Sequence, residues 1–178
     1  MAEATYYFNS YSAFGMIQGD TEDNIVDGDT GTYALCGGAG TATLDGNTCD
    51  GTDLGTITKV ELRGYAYGDG DDKLDLIPEF DGTDTGDSHQ ETMPTVAAWL
   101  AYCDITSDTN APVSWSWANV QNLDCEVENV AVAKGNWAYI AKIEIRVTYT
   151  VATGWGGEFC GVSIDEFCGV TPEEITGV

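Results

Sequence analysis

The run Trp137 to Tyr149, WAYIAKIEIRVTY, alternates apolar and polar residues over more of its length than any other stretch of this 178-residue chain. Side chains of a strand point alternately to opposite faces, so Tyr139, Ala141, Ile143, Ile145, Val147 and Tyr149 are expected on one face. Ile140, Lys142, Glu144, Arg146 and Thr148 are expected on the other. The stretch Ile57 to Tyr67, ITKVELRGYAY, repeats the pattern, with Val60, Leu62, Gly64 and Ala66 inward and Lys59, Glu61 and Arg63 outward. Both carry K-x-E-x-R on the polar side. Four of the six basic residues lie in these two strands, which predicts neighbours at the middle of a sheet with a charge-balanced outer face.

Glycine-containing turns punctuate the remainder. The 22 glycines and recurrent DG, GD and GT pairs cut an aromatic-rich, β-branched chain into short segments. Residues 4–18 read as an opening strand and a bend, and Thr32 to Leu35 as a strand after an acidic loop. Gly37 to Gly55 reads as a long loop, Leu74 to Phe80 as a strand and Asp81 to Gln90 as an exposed loop. Thr95 to Thr106 has helix formers, but a strand through Trp99 to Ile105 is preferred. Ser116 is placed to cap a short helix over Trp117 to Asn122, setting Trp117, Val120 and Gln121 against the body. Leu123 to Val132 is expected to form a hairpin with the Trp137 strand across AKGN. About eight short strands without a long helix predict an all-β fold, a jelly-roll-like antiparallel β-sandwich. A domain over 1–152 and a C-terminal extended repeat arm over 153–178 are expected.

Thirty acidic residues against six basic ones give a formal net charge of −24. Such a chain repels phosphate backbones and anionic lipid, which argues against nucleic-acid binding. No apolar window reaches the roughly eighteen residues that membrane insertion needs. The opening MAEATYYFNSYSAF has neither a basic nor a continuous apolar region, so no secretory signal is expected in it. Six cysteines leave the pairing open; a Cys36–Cys49 bridge would staple the second loop, and free thiols are equally permissible. Without C-x-x-C and with His89 as the single histidine, a zinc site is not expected. No G-x-S-x-G elbow is present, and no carboxylate pair stands out among thirty acids, so a non-enzymatic role is expected.

Beyond Tyr149 the sequence changes character. EFCGVSID, EFCGVTPE and EITGV succeed one another with a period of eight: Phe159, Phe167 and Ile175 hold one position, and Val162, Val170 and Val178 another. Each unit offers too few apolar side chains to bury them alone, so the arm is expected to meet a second copy, giving a homo-oligomer or polymer. If the arm is extended, Cys160 and Cys168 stand about 26 Å apart and can bond only between chains. Trp115 and Trp117 are two residues apart. Filling the core is their first reading; a carbohydrate platform that also includes Trp99 is the alternative.

NIVDGDTGTYA, ITKVELRGY and AYIAKIEIRVTY together resemble galactose-binding-like (discoidin-type) β-sandwich domains. The resemblance implies a structural calcium in the early loop, with Asp20, Asp23, Asp27 and Asp29 as ligands and the Thr32 carbonyl as a further one. Clustered Asp oxygens suit that ion, although the EF-hand spacing is missing. The φ-x-G-V tail is similar to C-terminal repeats of phage-like structural proteins. That likeness implies a virion or extracellular-filament subunit assembling through Phe159, Cys160, Val162, Phe167, Cys168, Val170, Ile175 and Val178. The alternative is a calcium-dependent, lectin-like module for surface glycans.

Overall fold

The computed structural model describes residues 1–15, 21–69, 71–82, 84–130 and 137–151, together with the backbone of 158–159 and 162–163. In chain order the strands are β1 (Ala2–Tyr7), β2 (Tyr11–Phe14), β3 (Ala34–Gly37), β4 (Gly40–Leu44), β5 (Thr56–Gly68), β6 (Lys73–Phe80) and β7 (Asp84–Thr85). They continue with β8 (His89–Thr92), β9 (Ala98–Trp99), β10 (Cys103–Asp104), β11 (Asp124–Val130), β12 (Trp137–Thr150), β13 (Glu158–Phe159) and β14 (Val162–Ser163). A 3₁₀ turn at Glu22–Ile25 precedes β3, and a helix α1 (Trp117–Gln121) precedes β11.

Two antiparallel sheets make a jelly-roll-like β-sandwich. The first has the order β1-β12-β5-β10, with β3 beside the start of β12 and β9 beside β5. The second has the order β2-β4-β11-β6-β7, with β8 also on β6. Val60, Leu62, Ile143, Ile145 and Val147 of the first sheet are fully buried, as are Leu44, Leu74 and Val127 of the second. Gly64 marks a close approach of the two layers, because a Cβ there would overlap the Leu74 side chain.

The two K-x-E-x-R strands are neighbours at the centre of the first sheet. Their register sets Glu144 opposite Arg63 and Arg146 opposite Glu61. Arg63 Nη2 lies 2.7 Å from Glu144, and Arg146 Nη2 lies 2.7 Å from Glu61. Lys59 adds a third contact to Glu61 at 2.6 Å. These carboxylates are almost fully buried because the long side chains beside them lie across the strands.

One face assignment is corrected by a β-bulge. Ile140 pairs with Ala66 and Lys142 with Tyr65, so Ala141 is an extra residue that reverses the alternation. Ala138 and Ile140 therefore point inward ahead of it, and Tyr139 points outward, where its ring stacks on Tyr67 at 4.4 Å. The expected β11–β12 hairpin is also overturned. β11 pairs with β4 and β6, whereas β12 pairs with β1, β3 and β5, so the chain changes sheets between them.

Other differences are local. The stretch read as the loop Gly37 to Gly55 contains β4, and the one read as the loop Asp81 to Gln90 contains β7 and the start of β8. Those strands are rich in Gly, Thr and Asp, and their pairing comes from neighbours rather than propensity. Trp99 to Ile105 is not one strand: β9 and β10 are separate two-residue pairings on β5. Ser116 caps α1 as expected, accepting from Asn119 N at 3.2 Å, and Trp117 and Val120 are buried. Gln121 is exposed instead of packed. Cys49 is a free thiol, so the Cys36–Cys49 staple is not formed.

The second sheet has a different outer face. The register puts Asp124 directly opposite Glu79, with Glu126 on the same side of β11. Burial, with Glu126 and Asp124 beside it, pushes the Glu79 carboxyl above its ordinary value. A carboxyl raised in the folded state supports folding while protonated, and that support is lost as pH rises through its folded value. Glu79→Gln is therefore expected to raise stability at pH 7 by about 0.5 kcal/mol, the scale of a cross-strand charge pair. The gain should vanish in acid, once the native carboxyl, raised above its ordinary value, has taken up its proton. Thermal melts of both proteins at pH 7 and in acid check this.

Candidate functional site

Where the sandwich closes at one end, the loop before β5 meets the segment leading into α1. The loop is shaped by its own aspartates: Asp50 Oδ1 accepts from Thr52 N at 2.9 Å and Asp53 Oδ1 from Gly55 N at 2.8 Å. The Thr52 backbone N–H and then its hydroxyl hold the Asp50 carboxyl below its ordinary value. Gly55 is required here, since its φ is 133° and a Cβ would run into the Thr150 carbonyl. That tight passage lets Gly55 O accept the Trp117 indole N–H at 2.8 Å.

An open cleft of about 770 Å³ lies between these segments, bordered by Asp53, Leu54, Thr56, Trp115, Ser116 and Val151. Trp115 is half-buried. Its edge-on contact with Phe80, at 5.8 Å between centroids, and an N–H bond to Thr106 O at 3.0 Å fix the indole. Trp117 forms the floor and is 4% exposed, with the Tyr6 and Tyr149 rings against it. The two tryptophans thus divide the roles that the sequence left open: Trp117 fills the core and Trp115 borders the cleft.

Trp99 is elsewhere. It lies on the outer face of the first sheet, where the Arg63 guanidinium stands 4.0 Å from its ring and 4.2 Å from that of Tyr102. Tyr102 donates its hydroxyl to Glu144. Burial and that bond to a carboxylate push the phenol up to about 12. The Trp99 face is therefore engaged by the ion-pair network, and the three tryptophans do not form one platform.

The acidic loop before β3 folds on itself. Asp27 accepts from Asp29 N at 2.7 Å and from the Thr32 hydroxyl at 2.6 Å, and Asp29 accepts from Gly31 N at 2.9 Å. Asp23 stands apart and accepts from the Tyr11 hydroxyl at 3.1 Å. Asp20 lies outside the described residues. Among the described residues no three His, Cys, Asp or Glu side chains gather where they could jointly hold a metal. Asp27, Asp29 and Thr32 are brought together, with oxygens engaged by the loop's own donors.

The assembly residues Cys160, Phe167, Cys168, Val170, Ile175 and Val178 lie outside the described residues. The backbone at Phe159 and Val162 belongs to β13 and β14, which pair antiparallel with each other. Asp53, Leu54, Thr56 and Val151 escaped the sequence reading. Only their meeting with Trp115 distinguishes them, and that residue is about sixty positions from the first three.

No protein-family profile and no curated protein matches this chain. Solved structures similar to it include the insecticidal delta-endotoxin Cry8Ea1 from Bacillus thuringiensis, at 13% identity and a TM-score of 0.42. That alignment covers 70% of this chain, which spans only 23% of the toxin's length. A second is TmCBM61, solved with β-1,4-galactotriose, at 12% identity and a TM-score of 0.42 over 78% of this chain and 89% of the other. A third, a CBM4 module, is 11% identical with a TM-score of 0.38 over 78% and 88%.

Proposed function

We propose that the protein is a carbohydrate-binding module whose sugar seat is the end cleft. The observation that carries this reading is the half-buried Trp115 indole beside the Thr56 and Asp53 side chains in an open cavity of about 770 Å³. A pyranose has apolar C–H faces and a rim of hydroxyls. It needs a fixed aromatic surface and a few hydrogen-bonding groups converging on one space, in a cleft of roughly 300–1,000 Å³. Asp53 contributes its second carboxylate oxygen, since Oδ1 is engaged by Gly55. A net charge of −24 disfavours sulfated or uronic-acid glycans, so the ligands are neutral oligosaccharides.

The test is a glycan array followed by titration of tryptophan fluorescence. Saturable binding of neutral oligosaccharides is expected, with Trp115→Ala folded but at least tenfold weaker. No saturable binding across neutral glycans rejects the reading.

The eight-residue repeat favours a second reading, a self-associating subunit of a virion or extracellular filament. Its apolar positions need a neighbouring chain for burial. Deleting residues 154–178 is then expected to convert large particles to single chains in analytical ultracentrifugation. An intact chain that sediments as a single particle at high concentration excludes it.

A further inference from the structure

The outer face of the second sheet contains a carboxylate that the fold leaves incompletely satisfied. Leu74 and Leu76 of β6 point into the core, so Asp75 between them points outward. It is nevertheless only 2% exposed. Its Oδ2 accepts from Ser88 Oγ at 2.6 Å and from Gln90 Nε2 at 3.0 Å, both on the β8 side. Oδ1 is buried and has no hydrogen-bond partner. Directly across the ladder on β11 stands Glu128, half-buried and on the same outward face. Side chains paired in this way have Cβ atoms about 4.5–5.5 Å apart.

Two facing carboxylates, one of them buried with an orphan oxygen, are unfavourable unless positive charge lies between them. Such charge is scarce on this face. Lys59, Arg63 and Arg146 make their ion pairs on the first sheet. Glu79 and Asp124 repeat the facing arrangement four residues along each strand. Lys73 is two residues from Asp75 on β6 and makes no ion pair among the described residues.

We infer that this face binds a hard divalent cation between Asp75 and Glu128. Asp75 Oδ1 and the Glu128 carboxylate are its protein ligands, and water completes the shell. Calcium suits the pair better than magnesium because it takes six to eight oxygens in flexible geometry, whereas magnesium demands a near-ideal octahedron. The inference does not depend on carbohydrate binding, and it places the ion away from the Asp27 loop.

The experiment is calorimetric titration of the chelator-treated full chain with CaCl₂, and separately with MgCl₂, at constant ionic strength, alongside thermal melts. One saturable calcium site per chain and a raised Tm are expected, with magnesium weaker. Asp75→Asn should weaken calcium at least tenfold, whereas the Asp27→Asn/Asp29→Asn double variant should bind like the parent. If Asp75→Asn does not fold, Glu128→Gln, altering a half-buried side chain, supplies the same comparison. Absence of saturable binding, as expected if Lys73 neutralises the pair instead, overturns the inference. So does undiminished binding by Asp75→Asn or Glu128→Gln, or loss of binding in the loop variant.

Discussion

Trp117→Ala is expected to destabilise the protein by about 3–5 kcal/mol, the usual cost of emptying a large aromatic site in a packed core. The indole is 4% exposed, has the Tyr6 and Tyr149 rings around it, and donates to Gly55 O at 2.8 Å. Removing it opens a cavity between the first sheet and α1, and also leaves the Gly55 carbonyl without its donor. For a chain of this size the melting temperature should fall by about 10 °C. Trp115→Ala should cost far less, about 1–2 kcal/mol, because that ring is only half-buried and keeps one edge on the cleft. Urea unfolding of the two variants, set beside their sugar titrations, separates a core residue from a binding residue. Equal stability losses would contradict the division of roles between these neighbouring tryptophans.

Glu144→Ala is expected to cost about 2–4 kcal/mol. The carboxylate is 6% exposed and receives Arg63 Nε at 2.9 Å, Arg63 Nη2 at 2.7 Å and the Tyr102 hydroxyl, all on one oxygen. Breaking a buried pair from one side is expensive because the surviving charge loses its compensation. Here Arg63 remains between the Trp99 and Tyr102 rings, which limits its escape to solvent. Its side chain is 23% exposed, so the cost stays below that of a fully buried pair. Urea unfolding of Glu144→Ala, Arg63→Ala and the double variant gives the coupling directly. Additive losses would mean that Arg63 and Glu144 are neighbours without being partners.

How far the fold could be read in advance depended on how local its causes were. The charge-bearing strands announce that they are neighbours: K-x-E-x-R on two period-two strands puts both signs of charge on one face, and an antiparallel register offset by two residues then sets Glu144 against Arg63 and Arg146 against Glu61. Ser116 just ahead of Trp117 likewise announces the start of α1, and its reciprocal bonds with Asn119 are what the structure adds. β4, β7 and β8 were invisible by the same standard. Their Gly, Thr and Asp residues prefer turns, and each becomes a strand because an established neighbour presents an open ladder.

The candidate site was legible only in part. Trp115 could be named as a platform, but nothing near it in sequence separates it from Trp117, whose opposite role follows from what each indole packs against. Asp53 comes from the loop before β5 and Thr56 opens that strand, and their place beside Trp115 is a consequence of how two distant segments close the same end of the sandwich.

By itself, then, the amino-acid order determined that this chain forms short antiparallel strands in two layers, with a neutralised face on one and an excess of carboxylates overall. Periodicity and charge spacing act over a few residues, and they survive in any fold that buries the same stripe. Only the tertiary structure decided which sheet each strand joins, where Ala141 reverses the alternation, and that β11 lies away from β12. Those choices depend on ladder partners and layer packing between residues far apart in the chain. The end cleft and the Asp75–Glu128 pair arise from that long-range arrangement.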